Sequence, residues 1–234
     1  MKEEASFSYF ILHISPLTCY HPPMATILLV RHGENNWVKE HRLAGWTPGV
    51  LLNQNGHDQA SALAKRLAHL PITAVYSSPL ERCMQTANHL ALQHQLDIIQ
   101  FPEIGEVKYG EWEGAKIAEL AKLKEWFTIQ HFPSRFEFPE GESLRGVQAR
   151  AVDALERLAV QHSDEMVIVV AHADVIKLVI AHYLGAHIDM FQRIGLSPAS
   201  VSIISLMKHG GVRVLRVNDN GPIQAPPKPK QEEK

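Results

Sequence analysis

The sequence predicts an α/β protein with three α/β/α layers around a mostly parallel central sheet. Three observations carry that expectation. Short apolar runs near 27–30, 72–76, 96–100 and 166–170 have the length and β-branched content of buried strands. Stretches with apolar residues at helical spacing separate them. No segment repeats, and strand–helix alternation is what a parallel sheet covered on both faces requires. At 234 residues and 45% hydrophobic, the chain is large enough to bury a core without a metal or disulfide.

The first strand, Ile27, Leu28, Leu29 and Val30, ends at Arg31 and opens into a loop containing Gly45, Pro48 and Gly49. Ala60, Leu63, Ala64 and Leu67 then mark an amphipathic helix that Pro71 closes off. After the second strand, Ser77 and Ser78 are expected to cap a helix, with Pro79 suited to its first turn. That helix runs through Thr86 and Leu90 to the third strand. An irregular aromatic and glycine-rich stretch follows, with a helix expected at 116–127 and a loop at 132–141. Ser143 is placed to cap a helix whose apolar face holds Leu144, Val147, Ala151, Leu155 and Leu158. The fourth strand leads into a helix at 175–184 stopped by Gly185, and 201–207 with 212–217 read as a hairpin around Gly210 and Gly211. The expected organisation is an N-terminal extension over 1–24, a single domain over 25–218 and a proline-rich, disordered tail over 219–234.

Composition excludes several classes. Lys plus Arg is 23 against 25 for Asp plus Glu, so no basic field draws nucleic acid or anionic lipid, and neither is an expected partner. Cys19 and Cys83 are far apart with no C-x-x-C pair, which points away from a disulfide framework or cysteine zinc site and toward a reducing, cytoplasmic setting. The apolar stretch 7–20 follows Glu3 and Glu4 and is interrupted by His13, Ser15 and Pro16, so it is too short and polar to span a bilayer. Met24, just ahead of the first strand, can itself serve as the natural start.

In parallel sheets function gathers beyond the carboxyl ends of the strands. The first strand ends in Arg31-His32-Gly33-Glu34, the second leads to Glu81-Arg82, and the fourth ends in Ala171-His172-Ala173-Asp174. Taken singly, an arginine or histidine is more often a surface or structural residue than a functional one. Two of each at neighbouring strand ends make a pocket suited to a phosphoryl group, because guanidinium binds phosphate oxygens in pairs and stays charged.

LLVRHGENNW, SSPLERCMQTA, GEVKYGEWEG, PEGES and VVAHADVIK, in this order, resemble the histidine phosphatase superfamily, also called the phosphoglycerate mutase-like fold. The resemblance spans about 26–217 and implies His32 as a nucleophile that becomes a phosphohistidine. It implies Arg31, Arg82 and His172 as the rest of the phosphate pocket and Glu106 as the proton donor. Asn36 in the loop after His32 and Ala173 after His172 are expected to border the substrate, with Glu34 near them.

The chemistry agrees with these roles. A neutral imidazole is nucleophilic at neutral pH without a separate base, and Arg31, Arg82 and a protonated His172 would stabilise charge spreading over the equatorial oxygens. Glu106 would protonate the leaving alkoxide and then activate the water that cleaves phosphohistidine, so no metal or other cofactor is required.

Other signals carry less. His182, His187 and Asp189 lack a second metal-ligand pair and suit surface or capping use, while His57, His69, His94 and His162 read as solvated. Trp112 and Trp126 read as packing residues. Phe127, Phe132, Phe136 and Phe138 either rim the pocket or pack the core.

The expected function is a metal-independent phosphomonoester hydrolase acting on a small phosphorylated metabolite. The alternatives are a cofactor-dependent phosphoglycerate mutase and a non-catalytic phosphate-binding protein. Mutases share RHGE, Trp37, Arg42, Gly45 and Trp46 with this chain, but Val38 and the EVKYGEWEG segment depart from them, and 112–139 is short for a water-excluding lid. An exposed strand edge and the resemblance make a homodimer one expectation for assembly.

Overall fold

β1 (Met24–Arg31), β2 (Ile72–Ser77), β3 (Ile98–Gln100), β4 (Met166–Ala171), β5 (Val201–Met207) and β6 (Val212–Asp219) form a sheet in the order β3-β2-β4-β1-β5-β6. This computed structural model describes residues 24–207 and 210–221. The β3–β2, β2–β4 and β4–β1 pairs are parallel, and β5 and β6 are added antiparallel as the expected hairpin. The mostly parallel sheet therefore stands, with one antiparallel margin.

Alternation along each strand splits the core into two layers. Leu28, Val30, Val75, Ile168 and Val170 face α2 (Gln54–Leu67) and α3 (Glu81–His94), which bring Leu63, Ala64, Cys83, Ala87 and Leu90. Ile27, Leu29, Val167 and Val169 face the opposite layer, where α6 (Leu144–Gln161) and α7 (Ala173–Tyr183) supply Leu144, Val147, Leu155, Ile176 and Val179. Asn53 caps α2 by accepting from Gly56 N at 2.8 Å, and Ser143 caps α6 by accepting from Gly146 N at 3.1 Å.

Five local expectations are corrected. Residues 116–127 do not form one helix but α4 (Ile117–Leu120) and α5 (Glu125–His131), joined by a turn and preceded in the chain by the short α1 (Asn36–Lys39). Leu120 and Ile129 are both buried, and on one straight helix their nine-residue spacing would set them about 180° apart, so the break lets both reach the core. The N-cap of α3 is Leu80 rather than either serine. β3 is confined to three residues, and α7 begins at Ala173, two residues earlier than expected. His162 is buried rather than solvated: Tyr76 OH lies 2.7 Å from its Nε2 and Glu165 2.6 Å from its Nδ1.

β1 begins at Met24, and β6 runs through Asp219, whose carboxylate accepts from Arg66 at 2.7 Å. The expected extension and the proline-rich tail otherwise lie outside the described residues. No described helix is long and apolar enough to cross a membrane.

Candidate active site

β2, β4 and β1 are adjacent in the sheet, so their carboxyl ends open side by side. Arg31 closes β1 and His32 follows it, His172 follows β4 at the N-cap of α7, and Arg82 sits in the first turn of α3 after β2. Glu106 arrives from the crossover beyond a short 3₁₀ turn at Pro102–Ile104. The structure thus brings together all five residues singled out in the sequence; His32, Arg82, Glu106 and His172 are buried.

His32 is anchored on both sides. Its N–H donates to Ala171 O at 3.0 Å and its carbonyl accepts from Ala199 N at 3.2 Å. Nδ1 lies 2.7 Å from the Gly33 carbonyl, which can only accept, so Nδ1 carries the proton and the lone pair is on Nε2. Burial, then Arg82 and Arg31, hold this imidazole well below its ordinary value, so it is neutral at neutral pH. The Gly33 turn leaves no room for a side chain: a Cβ there would lie 2.5 Å from Gly56 O. Gly33 N donates to Thr86 Oγ1 at 3.0 Å, tying the loop to α3.

The two arginines carry unused donors. Arg82 is fully buried and donates through Nη2 to Gly45 O at 2.8 Å, while its Nε and Nη1 have no partner among the described residues. Arg31 donates through Nη1 to Leu196 O at 2.6 Å, and its Nε is likewise buried without a partner. Buried guanidinium donors left unpaired are costly, and an anion is the group that satisfies them.

His172 is fully buried, with Nε2 2.8 Å from Ser78 Oγ and Nδ1 3.6 Å from Glu106 Oε2; its ring meets that of His32 edge-on at 5.4 Å. Burial, then Arg82 and His32, hold it well below the ordinary imidazole range. The expectation of a protonated His172 is therefore corrected: the positive charge comes from the arginines, and His172 is a neutral hydrogen-bonding group.

Burial, then the nearby Asp174, push the Glu106 carboxyl up to about 7, against the pull of Arg82. Its Oε1 accepts from Val107 N at 3.0 Å. A carboxyl near 7 can give a proton and take it back at neutral pH. A neutral nucleophile, two cationic donors and a protonated acid are the groups that displacement at a phosphoryl centre needs.

The secondary expectations divide. Asn36 is exposed and hydrogen-bonds to Asn53 at 3.4 Å rather than to any of the five. Ala173 opens α7, so its amide is among the first N–H groups, which find no acceptor inside the helix. Phe136 and Phe138 pack in the core against Trp112, and Trp112 stacks with Trp126, whereas Phe127 and Phe132 are exposed. His187 accepts from Asp189 N at 3.3 Å, a capping use.

Residues the sequence reading missed include Ser78, read as a cap but bonded to His172, and Asp174, bonded to Tyr109 OH at 3.0 Å and Lys177 at 3.1 Å. Trp46 also escaped notice as a support: its Nε1 donates to Glu106 O at 2.6 Å. Arg150 escaped too, although an arginine at the margin of the apolar stripe of α6 was a usable signal.

Comparison with known proteins supplies an independent line. The model of the histidine phosphatase superfamily (branch 1) matches residues 27–220. A protein named phosphoserine phosphatase 1 from Hydrogenobacter thermophilus is 30% identical over 200 residues, covering 83% of this chain and 92% of that one. A metal-independent phosphoserine phosphatase from Arabidopsis thaliana is 36% identical over 159 residues, covering 65% of this chain and 66% of that one. The solved structure of Bacillus stearothermophilus YhfR aligns with a TM-score of 0.77 at 29% identity, covering 83% of this chain and 97% of that one.

Proposed function

The chain belongs to the histidine phosphatase superfamily, and from that premise we propose that it is a metal-independent phosphomonoesterase in which His32 is transiently phosphorylated. The observation that carries this reading is the set of unpaired, buried donors on Arg31 and Arg82 beside a neutral His32 whose lone pair is on Nε2. The phosphoryl oxygens take those donors, and neutral His172 adds a hydrogen bond.

In the first step the Nε2 pair forms a P–N bond while the ester P–O bond breaks. The bonding pair leaves on the ester oxygen, which takes the proton of Glu106. In the second step water attacks phosphorus, its proton passes to the Glu106 carboxylate, and the P–N pair returns to Nε2 as phosphate is released. The arginines stabilise the equatorial charge in both steps, the work that a metal does elsewhere.

Substrate is proposed as a small phosphomonoester, with phosphoserine in the first panel because two relatives carry that name. Cytoplasmic residence is supported by the free, buried Cys83, and a homodimer by the apolar edge strand β6 with exposed Leu215 and Val217.

The test is phosphate release from p-nitrophenyl phosphate and a panel of phosphomonoesters in the presence of a chelator, by wild type and His32→Ala. Quenched samples are analysed for acid-labile phosphate on His32. Release and labelling that both vanish in the variant are expected. Isomerisation of 3-phosphoglycerate with a bisphosphoglycerate primer, without release, would instead make the protein a mutase. Ligand binding with no turnover of any panel member would make it a binding protein.

A further inference from the structure

We propose that Arg150 and Glu142 form a clamp whose task is to position the Glu106 carboxyl, making Arg150 a positioning residue for the acid step; this rests on the function proposed above. Arg150 lies on α6, outside the five-residue cluster, yet all five of its N–H donors can be accounted for. Nε and Nη2 hold the two carboxylate oxygens of Glu142 at 3.1 and 3.0 Å in a bidentate pair. Nη1 donates to the carbonyls of Glu103 at 2.6 Å and Gly105 at 3.0 Å, and Nη2 also donates to that of Glu106 at 3.0 Å.

These acceptors are the backbone that carries the acid. Glu142 closes the other side, accepting from Lys108 N at 3.0 Å while its own N–H donates to Lys108 O at 2.9 Å. The Glu106 carbonyl thus receives Arg150 Nη2 and Trp46 Nε1 together. A peptide unit is planar, so fixing this carbonyl also fixes the direction of the next N–H. That N–H, on Val107, is the donor to Glu106 Oε1. The clamp therefore orients the carboxyl through one rigid peptide plane without touching it.

The consequence is chemical as well as geometric. Glu106 is held up at about 7 chiefly by burial, which lasts only while the segment stays seated. The cations that pull most on this carboxyl are Arg82 and Arg31. Losing the clamp lets water reach the acid and lowers its pKa, whereas simple loss of a neighbouring positive charge would raise it. The direction of the shift separates the two accounts. Lysine offers a point charge with three donors and cannot span these acceptors, so Arg150→Lys is expected to fail as a substitute.

The experiment compares wild type, Arg150→Lys, Arg150→Met and Glu142→Gln on an alkyl phosphomonoester and on p-nitrophenyl phosphate, with orthovanadate affinity and circular dichroism alongside. The expected result is a loss of kcat on the alkyl ester of about tenfold or more, a much smaller loss on the aryl ester, whose phenolate needs little protonation, and unchanged vanadate affinity. The alkaline limb of the alkyl profile is expected to move to lower pH. Equal losses on both esters with an unmoved limb, or no loss, would overturn the proposal. If the Arg150 variants fail to fold, the milder Glu142→Gln decides on the same criteria. Failure of the parent reading is visible separately, as a wild type that neither hydrolyses phosphomonoesters nor forms phosphohistidine.

Discussion

Raising the pH through 7 perturbs one group above all, the Glu106 carboxyl, held at about 7 by burial and by Asp174 instead of at its ordinary 4.5. At pH 7 about half of the molecules then carry the proton, whereas at the ordinary value about one in 300 would. His32 contributes no limb in this range, because it lies well below 6.5 and is already neutral. Turnover of an alkyl phosphomonoester is therefore expected to fall about tenfold per pH unit once the solution is more alkaline than the acid, because the alkoxide cannot leave unprotonated. With p-nitrophenyl phosphate the phenolate leaves largely unaided and the limb is expected to flatten. The assay is kcat/KM from about pH 5 to about pH 9 on both esters, for wild type and Glu106→Gln. Glutamine is expected to lower alkyl turnover by about 10²–10⁴-fold and abolish the limb. The raised pKa also bears on stability: its contribution is fully present below about 4.5 and is lost as pH rises through about 7. Above that range Glu106→Gln is expected to be more stable than wild type, by about 3 kcal/mol at most, in thermal denaturation. An alkyl rate that stays flat to about pH 9, or a limb that survives in Glu106→Gln, would refute the assignment of the acid.

Three further outcomes follow from individual contacts. Arg82→Met removes a fully buried guanidinium with two unpaired donors, so the variant is expected to melt several degrees higher than wild type; added orthovanadate should raise the wild-type Tm and leave the variant's unchanged. Gly56→Ala would put a Cβ 2.0 Å from the backbone oxygen of Glu34, so a loss of about 1–3 kcal/mol or more and a fall in turnover from displacement of the loop after His32 are expected in denaturant titration and steady-state assays. Cys83 is buried, and its thiol is pushed up to about 12, so peptide mapping should find it unalkylated in the native protein and alkylated only in denaturant.

Much of this was legible because it is local. The strands β1, β2 and β4 are short apolar runs between polar breaks, and a residue at a strand's carboxyl end is at the mouth of a parallel sheet whatever its neighbours are. His32, Arg31, Arg82 and His172 could therefore be picked from position and residue type alone. Glu106 could be picked only from the resemblance, since it sits in no regular element. The break between α4 and α5 was not visible, because nothing in the residues at 121–124 forbids a helix; burial of Leu120 and Ile129 on one side imposes the turn. Asn36 was placed near the substrate by its closeness in sequence to His32; it is exposed and accepts a hydrogen bond from Asn53.

By itself, then, the sequence determined the strand order in the chain, the amphipathic helices and which residues stand at the strand ends where phosphate binding is proposed, because these depend on residue type and short-range spacing. Tertiary structure decided the protonation states and the supports. Charge on His172 and Glu106 depends on desolvation and on arginines and carboxylates far away in the chain, and no local pattern records either. The seat of Glu106 likewise depends on Trp46, Glu142 and Arg150, brought from three separate segments to carbonyls whose partners exist only once the sheet and its crossover have packed.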